Sequence, residues 1–150
     1  MKKIVTVLAS LLLISGVISC KKSSDSANNN NTTTKTVVYK LTLSPVPAGN
    51  QGSFSGSVNA LLPNLNFASW KVNGVLRSNE NTIAFSASDF QNGTLTLEAT
   101  EGVSSANLAI TGITASEHPF TVVVQWTING KANDPVTIPV TSAVQRSFSL

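Results

Sequence analysis

Residues 121–130 read TVVVQWTING, and this stretch indicates how the protein folds. Apolar side chains alternate with polar ones, and one face of the extended chain carries Val122, Val124, Trp126 and Ile128. Alternation with a period of two is typical of a β-strand with one buried and one wet face. Asn129-Gly130 follows directly, and Asn-Gly favours the type I′ turn that joins two antiparallel strands. The stretch therefore predicts a strand that enters a hairpin.

The same alternation recurs along the rest of the chain. Thr, Val and Ser dominate it, and no stretch has the apolar spacing of an amphipathic helix. Turn residues separate the alternating segments, which are residues 37–43, 54–60, 67–72, 82–87, 94–100, 106–110, 121–128, 135–141 and 144–150. We therefore expect an all-β protein, with these strands in a single antiparallel sandwich that has one wet face per sheet.

A Trp-x-x-Asn-Gly motif occurs twice, as WKVNG at residues 70–74 and as WTING at residues 126–130. It indicates either two small repeated units or one hairpin device that a single domain uses twice. A second unit would have roughly 45 residues, which is too few for a sandwich without disulfides or metal. We therefore expect one domain over residues 36–150, with a third Asn-Gly turn at residues 92–93.

Prolines mark two further features of the predicted sandwich. Pro139 stands inside the segment 135–141, and a proline cannot donate a hydrogen bond to a neighbouring strand. This segment is therefore expected at a sheet edge or at a bulge. The stretch SPVPAGNQG at residues 44–52 resists regular structure, and we expect it to cross from one sheet to the other.

The first twenty residues, MKKIVTVLASLLLISGVISC, have the pattern of a lipoprotein signal. Two lysines precede an apolar run over residues 4–18, which is shorter than the roughly 20 residues needed to span a bilayer as a helix. The run ends in Val17-Ile18-Ser19-Cys20, which resembles the bacterial lipobox. In that family the cysteine thiol is diacylated, the segment before it is removed, and the new N-terminus is acylated too. The resemblance implies a signal peptide over residues 1–19 and a membrane anchor at Cys20, the only cysteine.

Residues 20–35, CKKSSDSANNNNTTTK, contain no large apolar side chain and are expected to form a disordered, lipidated linker. Lysines follow Cys20, so the aspartate typical of inner-membrane retention is absent, which favours the outer membrane. Whether the domain faces the periplasm or the cell surface stays open. Asp25-Ser26-Ala27 resembles a motif that is O-glycosylated in some Gram-negative bacteria, which makes Ser26 a candidate glycosylation site.

Residues 66–100 resemble the immunoglobulin-like and PKD-like repeats of bacterial surface proteins. Those repeats often have Trp-x-x-Asn-Gly, then a Thr-bearing strand, then Asn-Gly followed by alternating apolar residues. The positions that fit this order are Trp70, Asn73, Gly74, Thr82, Asn92, Gly93, Leu95 and Leu97. The resemblance implies an immunoglobulin-like β-sandwich and a role at the cell surface.

Charge and composition exclude several classes of function. The net charge of the whole chain is +3, and removal of residues 1–19 leaves eight basic and seven acidic residues. The folded part has no basic cluster, so we expect no nucleic-acid partner. His118 is the only histidine, and no nucleophile elbow or cluster of metal-ligating residues accompanies it. We therefore expect no catalytic residues, no cofactor and no metal site, although calcium held by loop carboxylates stays open.

Binding is the remaining class, and four residues are candidates for it. Trp70 and Trp126 would stack on sugars if they were exposed, but alternation places both among core side chains. Arg77 and Glu80 lie in a polar stretch over residues 73–81, and residues 101–105 form a second polar loop. We expect an outer-membrane-anchored lipoprotein that acts as a non-enzymatic interaction or adhesion module with a protein or glycan partner. The alternative is a glycan-binding accessory protein of a polysaccharide-uptake system.

Overall fold

A computed structural model describes residues 33–150 of the chain. The predicted signal peptide over residues 1–19, the lipidation site Cys20, the candidate glycosylation site Ser26 and nearly all of the linker lie outside the described residues. No helix within residues 33–150 is long and apolar enough to cross a membrane.

The described chain forms eleven β-strands and one 3-10 turn at Ala87–Asp89. The strands are β1 (Val37–Ser44), β2 (Gly52–Leu61), β3 (Trp70–Val72), β4 (Val75–Arg77), β5 (Ile83–Ser86), β6 (Thr94–Ala99), β7 (Ser105–Thr114), β8 (Phe120–Ile128), β9 (Lys131–Ala132), β10 (Val136–Val140) and β11 (Ala143–Ser149). The prediction of an all-β protein is confirmed.

The strands pair in two antiparallel sheets. The larger sheet has the order β10-β8-β1-β6-β3-β4, and the short strand β9 pairs with the end of β8. The smaller sheet has the order β11-β7-β2-β5. The loop between β1 and β2 crosses from the larger sheet to the smaller one, as the sequence of residues 44–52 predicts. Strand β10 with its Pro139 lies at an edge, as expected.

The alternating side chains of both sheets meet in one hydrophobic cluster within the described residues. Along β1 the buried positions are Val37, Tyr39, Leu41 and Leu43, and along β8 they include Val122 and Val124. Each large apolar side chain that is buried in this way stabilises the fold by about 1.5–3 kcal/mol. Alternation therefore decides both the strands and the face that each strand turns to the core.

Neighbouring strands of the smaller sheet leave no room for a side chain at Gly56 of β2. A Cβ atom built there would lie 2.4 Å from the ring of Phe85 on β5 and 2.6 Å from the carbonyl oxygen of Ala109 on β7. The Phe85 ring fills the space that a side chain at this position would occupy. Gly56 is therefore required by close packing, whereas a Cβ at Gly49 in the β1–β2 loop would meet nothing within 4 Å.

All three Asn-Gly pairs adopt the left-handed backbone that a type I′ turn requires. The φ angles are 49° and 81° at Asn73-Gly74, 50° and 75° at Asn92-Gly93, and 51° and 77° at Asn129-Gly130. The first turn joins β3 to β4, and the last joins β8 to β9. The predicted hairpin turns are confirmed, and both Trp-x-x-Asn-Gly motifs belong to hairpins of the same sheet.

The prediction of about nine strands is wrong for the described residues, because the return strands β4 and β9 were missed. They are three and two residues long and mostly exposed, so they show no apolar alternation. Strand β3 also begins at Trp70 and not at Phe67, which makes only an isolated bridge to Leu61. Strand β7 continues to Thr114, beyond the predicted end at residue 110.

Candidate functional site

Trp70 lies in the core and presents no surface to a ligand. Its side chain is 0% exposed, on the inner face of β3. It stacks on Tyr39 of β1, with ring centroids 6.3 Å apart and an interplanar angle of 28°. Trp70 Nε1 and Tyr39 Oη are buried without a hydrogen-bond partner among the described residues. Burial raises the pKa of the Tyr39 hydroxyl above its usual value.

Trp126 is half-buried near the end of β8. Its ring packs against Phe148 of β11 in the other sheet, with centroids 5.5 Å apart and an angle of 51°. The contact joins the two sheets across the core, since β8 and β11 belong to different sheets. Trp126 therefore serves packing with most of its surface, as the alternation of β8 predicts.

Arg77 and Glu80 bind each other through two hydrogen bonds. Arg77 Nε donates to Glu80 Oε1 at 2.7 Å, and Arg77 Nη2 donates to Glu80 Oε2 at 2.9 Å. The hydrogen bond from Arg77 lowers the pKa of the Glu80 carboxyl, and the same bond raises the pKa of the Arg77 guanidinium. The pair is half-exposed and fixes the start of the loop between β4 and β5.

A cleft of about 470 Å³ lies between residues 65–69 and residues 79–81, and we name it the Asn cleft. The polar side chains along it are those of Asn66, Ser69, Asn79, Glu80 and Asn81. Of the four predicted ligand-binding residues, Glu80 alone lines this cleft.

Local hydrogen bonds hold the two walls of the Asn cleft in place. In the first wall, Asn66 N–H donates to Asn64 Oδ1 at 3.1 Å, and Leu62 N–H donates to the Asn66 carbonyl at 2.8 Å. Ser69 N–H donates to Glu101 Oε2 at 3.1 Å, so the polar loop 101–105 supports this wall. In the second wall, Asn79 adopts a left-handed backbone with φ of 66°, which asparagine tolerates better than most residues.

The chemistry of the Asn cleft is that of hydrogen bonding and not of proton transfer. Each asparagine amide offers two donors and one acceptor oxygen and does not titrate. Glu80 is the titratable side chain along the cleft, and Arg77 keeps it ionised by lowering its pKa. Phe67 contributes an aromatic ring that is 44% exposed. The cleft therefore combines neutral amides and a hydroxyl with one paired carboxylate and with the exposed apolar side chains of Leu65 and Phe67.

His118 lies elsewhere, at the end of the molecule where β1 finishes. It lines a groove with Pro45, Glu117 and Pro119, and its carbonyl accepts a hydrogen bond from the buried Thr114 hydroxyl at 2.5 Å. The residues that line this groove include no Ser, Thr or Cys that could act as a nucleophile beside it. Within residues 33–150 no three His, Cys, Asp or Glu side chains come together as metal ligands.

Sequence reasoning pointed to the stretch 73–81 as polar but did not find the cleft. The run Ser78-Asn79-Glu80-Asn81 is the signal that was available, and it supplies one wall. The opposite wall is formed by residues 65–69, part of which falls in the strand predicted over residues 67–72. These residues lie far from Asn79 along the sequence, so the sequence does not indicate that they face it. Asn73, in the same polar stretch, serves the fold instead, because its side chain bonds to Thr96 and Asp89.

Comparison with known proteins identifies relatives in structure alone. No family model and no curated protein matches the chain. A domain of unknown function, DUF4425, from Bacteroides vulgatus has a TM-score of 0.59 at 11% identity, over 78% of this chain and 94% of that one. A DUF4425 family protein from Bacteroides ovatus also has a TM-score of 0.59, at 14% identity, over 79% of this chain and 95% of that one.

The calcium-bound form of a protein from Parabacteroides distasonis has a TM-score of 0.52 at 12% identity, over 77% of this chain and 92% of that chain. At these identities the three likenesses establish a shared fold and nothing about ligands.

Proposed function

We propose that this protein is an outer-membrane-anchored lipoprotein whose β-sandwich acts as a non-enzymatic interaction module, with the Asn cleft as its binding site. The observation that carries the proposal is the lining of the cleft. Three amides, a hydroxyl and an exposed aromatic ring can hold a ligand, while the one carboxylate is neutralised by Arg77. General acid–base catalysis needs a group whose pKa lies near the working pH, and the pKa of Glu80 is shifted away from it.

The lipid anchor is supported by the lipobox-like residues 17–20 and by the polar composition of residues 21–34. Globomycin blocks the peptidase that removes lipoprotein signal peptides. In a Gram-negative host that expresses the full chain, globomycin treatment should cause the longer precursor to accumulate. An unchanged precursor level would argue against the anchor and would leave the cleft proposal standing.

A photo-crosslinking amino acid in the cleft tests the interaction module in cells. Placed at Asn79, it should capture one discrete partner in the cell envelope. The matched control is Asn59, which lies on β2 between the buried residues Val58 and Ala60 and so points away from the core. The same products from both positions, or none from Asn79, would contradict a binding role for the cleft.

Glycan binding is the second candidate, and the pairing of Phe67 with the asparagines favours it. Sugars present hydroxyl groups to amides and an apolar face to aromatic rings, and Phe67 is the exposed ring at this cleft. Affinity electrophoresis in gels that contain soluble polysaccharides tests it. Retardation that is lost in Phe67→Ala and in Asn79→Ala, and kept in Asn59→Ala, supports a glycan ligand. Equal mobility of all variants in every gel contradicts it.

We also propose that the two sheets form an immunoglobulin-like sandwich. The shared core, the buried Trp70 on β3 and the crossing loop between β1 and β2 support this proposal. An experimental structure of residues 33–150, superposed on immunoglobulin domains by strand connection, tests it. A strand order that cannot be matched to those domains would reject the label while leaving the two-sheet architecture intact.

A further inference from the structure

The chain enters the folded part beside the loop that forms one wall of the Asn cleft. Lys35 and Val103 exchange two backbone hydrogen bonds of 2.8 and 2.9 Å. The next residue, Ser104, donates its N–H and its hydroxyl to the Leu61 carbonyl, at 2.8 and 2.9 Å. Leu61 is followed directly by the loop 62–67. The entry point and this loop therefore lie at the same end of the molecule, joined by successive hydrogen bonds.

The loop 62–67 exposes two large apolar side chains, those of Leu65 and Phe67. Leu65 is 76% exposed and Phe67 is 44% exposed. Leu65 also has a left-handed backbone, with φ of 66°. That conformation costs a leucine about 1–2 kcal/mol, and glycine or asparagine would adopt it more easily. Leu65 is thus both strained in its backbone and exposed to solvent. Within the described residues, no packing of its side chain offsets the backbone strain or the exposure of its apolar surface.

The length of chain before the entry point decides what this loop meets. Residues 21–34 separate Cys20 from Lys35, and even fully extended they span no more than about 50 Å. A lipid at Cys20 would therefore keep the loop at a high effective concentration near a membrane surface, where a contact that is weak by itself becomes populated.

We propose that the loop 62–67 contacts the lipid surface in which Cys20 is anchored, with Leu65 and Phe67 inserted among the headgroups. The proposal rests on the proposed lipidation of Cys20. Residues 33–150 carry six basic and six acidic side chains, so the attraction is apolar and does not depend on anionic lipid. The nearby Glu80 is neutralised by Arg77.

Contact of the loop 62–67 with lipid also limits the kinds of ligand that can reach the Asn cleft. Leu65 and Phe67 lie along the cleft, so the cleft opens beside the lipid surface when the loop is seated. In that state the Phe67 ring contacts lipid, and the polar side chains of the cleft are the groups that bind a ligand. Ligands displayed at the membrane surface then reach the cleft more readily than large soluble polymers.

A tryptophan placed in the loop tests the contact directly. The mature chain from Cys20 to Leu150 is coupled through its single cysteine to a maleimide lipid in phosphatidylcholine vesicles with brominated acyl chains. The probe is Phe67→Trp. The matched control is Val46→Trp, because Val46 has the same exposure, 44%, and follows the opposite end of β1. Emission is measured against the coupled wild-type chain, which supplies the background of Trp70 and Trp126.

Side chains that insert about 5–10 Å into the interface come within reach of the brominated chains, so Phe67→Trp should lose on the order of half of its added emission. Val46→Trp should lose little, and Leu65→Asn combined with Phe67→Trp should reduce the quenching. Equal quenching of Phe67→Trp and Val46→Trp would overturn the proposal. If Phe67→Trp fails to fold by circular dichroism, Leu65→Trp replaces it, since that side chain contributes little packing.

Chemical coupling separates this proposal from the proposed function. The vesicle result does not depend on whether cells lipidate Cys20, so a chain that fails to be lipidated in cells can still show loop contact in vitro. Conversely, if Cys20 is lipidated in cells but the loop shows no quenching in vesicles, the anchor and the cleft proposals stand. Only the proposed contact between the loop and the lipid surface is then contradicted.

Discussion

Asn73 makes two hydrogen bonds to the backbone of Thr96, one with its own backbone N–H and one with its side chain. Its N–H donates to the Thr96 carbonyl at 2.8 Å, and its Oδ1 accepts the Thr96 N–H at 2.9 Å. Asn129 repeats the arrangement with Thr36, at 3.0 and 2.8 Å. In both Trp-x-x-Asn-Gly motifs the asparagine side chain thus continues the pairing to the neighbouring strand where the hairpin turns away. The repeated motif is therefore one structural device used twice.

Replacing Asn73 should cost more stability than its turn position alone explains. In Asn73→Ala the Thr96 N–H loses its acceptor and a non-glycine residue without a polar side chain must hold φ of 49°. We expect a loss of about 2–4 kcal/mol in the free energy of unfolding, measured with urea. Asn92→Ala is the control, because Asn92 has φ of 50° and its side chain makes no hydrogen bond within the described residues. Equal losses in the two variants would show that the side-chain bonds contribute nothing.

Gly56 should not tolerate even one methyl group. The methyl group of Gly56→Ala would overlap the Phe85 ring and the Ala109 carbonyl, so both must move away. Overpacking of this kind typically costs about 1–3 kcal/mol, and we expect a loss in that range from thermal or urea unfolding. Gly49→Ala is the matched control and should change stability little, because the added atom meets nothing. A Gly56→Ala variant as stable as the wild type would mean that Phe85 and Ala109 leave more room at this position than the structure shows.

Removal of the Tyr39 hydroxyl should not harm the fold. The hydroxyl is buried without a partner among the described residues, and an unsatisfied buried polar group costs about 1–3 kcal/mol. We therefore expect Tyr39→Phe to unfold at the same urea concentration as the wild type or at a higher one. Tyr39→Ala, which also removes the stacking on Trp70, should cost about 3–5 kcal/mol. A clear loss of stability in Tyr39→Phe would reveal a hydrogen bond that this structure does not contain.

Tyr39 should also make stability fall at alkaline pH. Burial raises its pKa in the folded state above the ordinary value of about 10 that the unfolded chain retains. Below that pH both states keep the proton, and above it only the unfolded state loses the proton. The contribution of Tyr39 to the free energy of unfolding therefore falls by about 1.4 kcal/mol per pH unit from roughly pH 10 upward.

The near-ultraviolet absorption of phenolate measures this ionisation directly, since Tyr39 is the only tyrosine. Phenolate should form together with unfolding and not before it. The Tyr39→Phe variant should lose less stability over the same pH range. Ionisation of a folded protein near pH 10 would contradict the burial of this side chain.

Much of the fold could be predicted from sequence, because alternation acts locally. The β1 segment alternates over its full length and β8 alternates as far as Val124, and each Asn-Gly pair determines its own turn. The short return strands β4 and β9 could not be predicted, since their strand state comes from pairing with β3 and β8 and not from their own residues. The Asn cleft was hidden for the same reason, because tertiary packing alone brings residues 65–69 to residues 79–81.

The site residues follow the same division. Alternation correctly favoured a core position for Trp70, whereas the distances that pair Arg77 with Glu80 depend on a loop that has no sequence rule. Asn66 and Asn79 line one cleft although neither carries a recognisable motif. The features that determine the fold of this chain are local and repeated along the sequence. The candidate binding site, in contrast, is assembled from separate loops.

The anchored interaction module is tested most directly by the chemical state of Cys20 in the mature protein. The full chain is expressed in a Gram-negative host, extracted from the membrane fraction and digested, and its N-terminal peptide is analysed by mass spectrometry. We predict a peptide that begins at Cys20 and carries a diacylglyceryl thioether and an acylated amine. A peptide in which unmodified Cys20 is still preceded by Ser19, or a mature N-terminus elsewhere, would contradict the account.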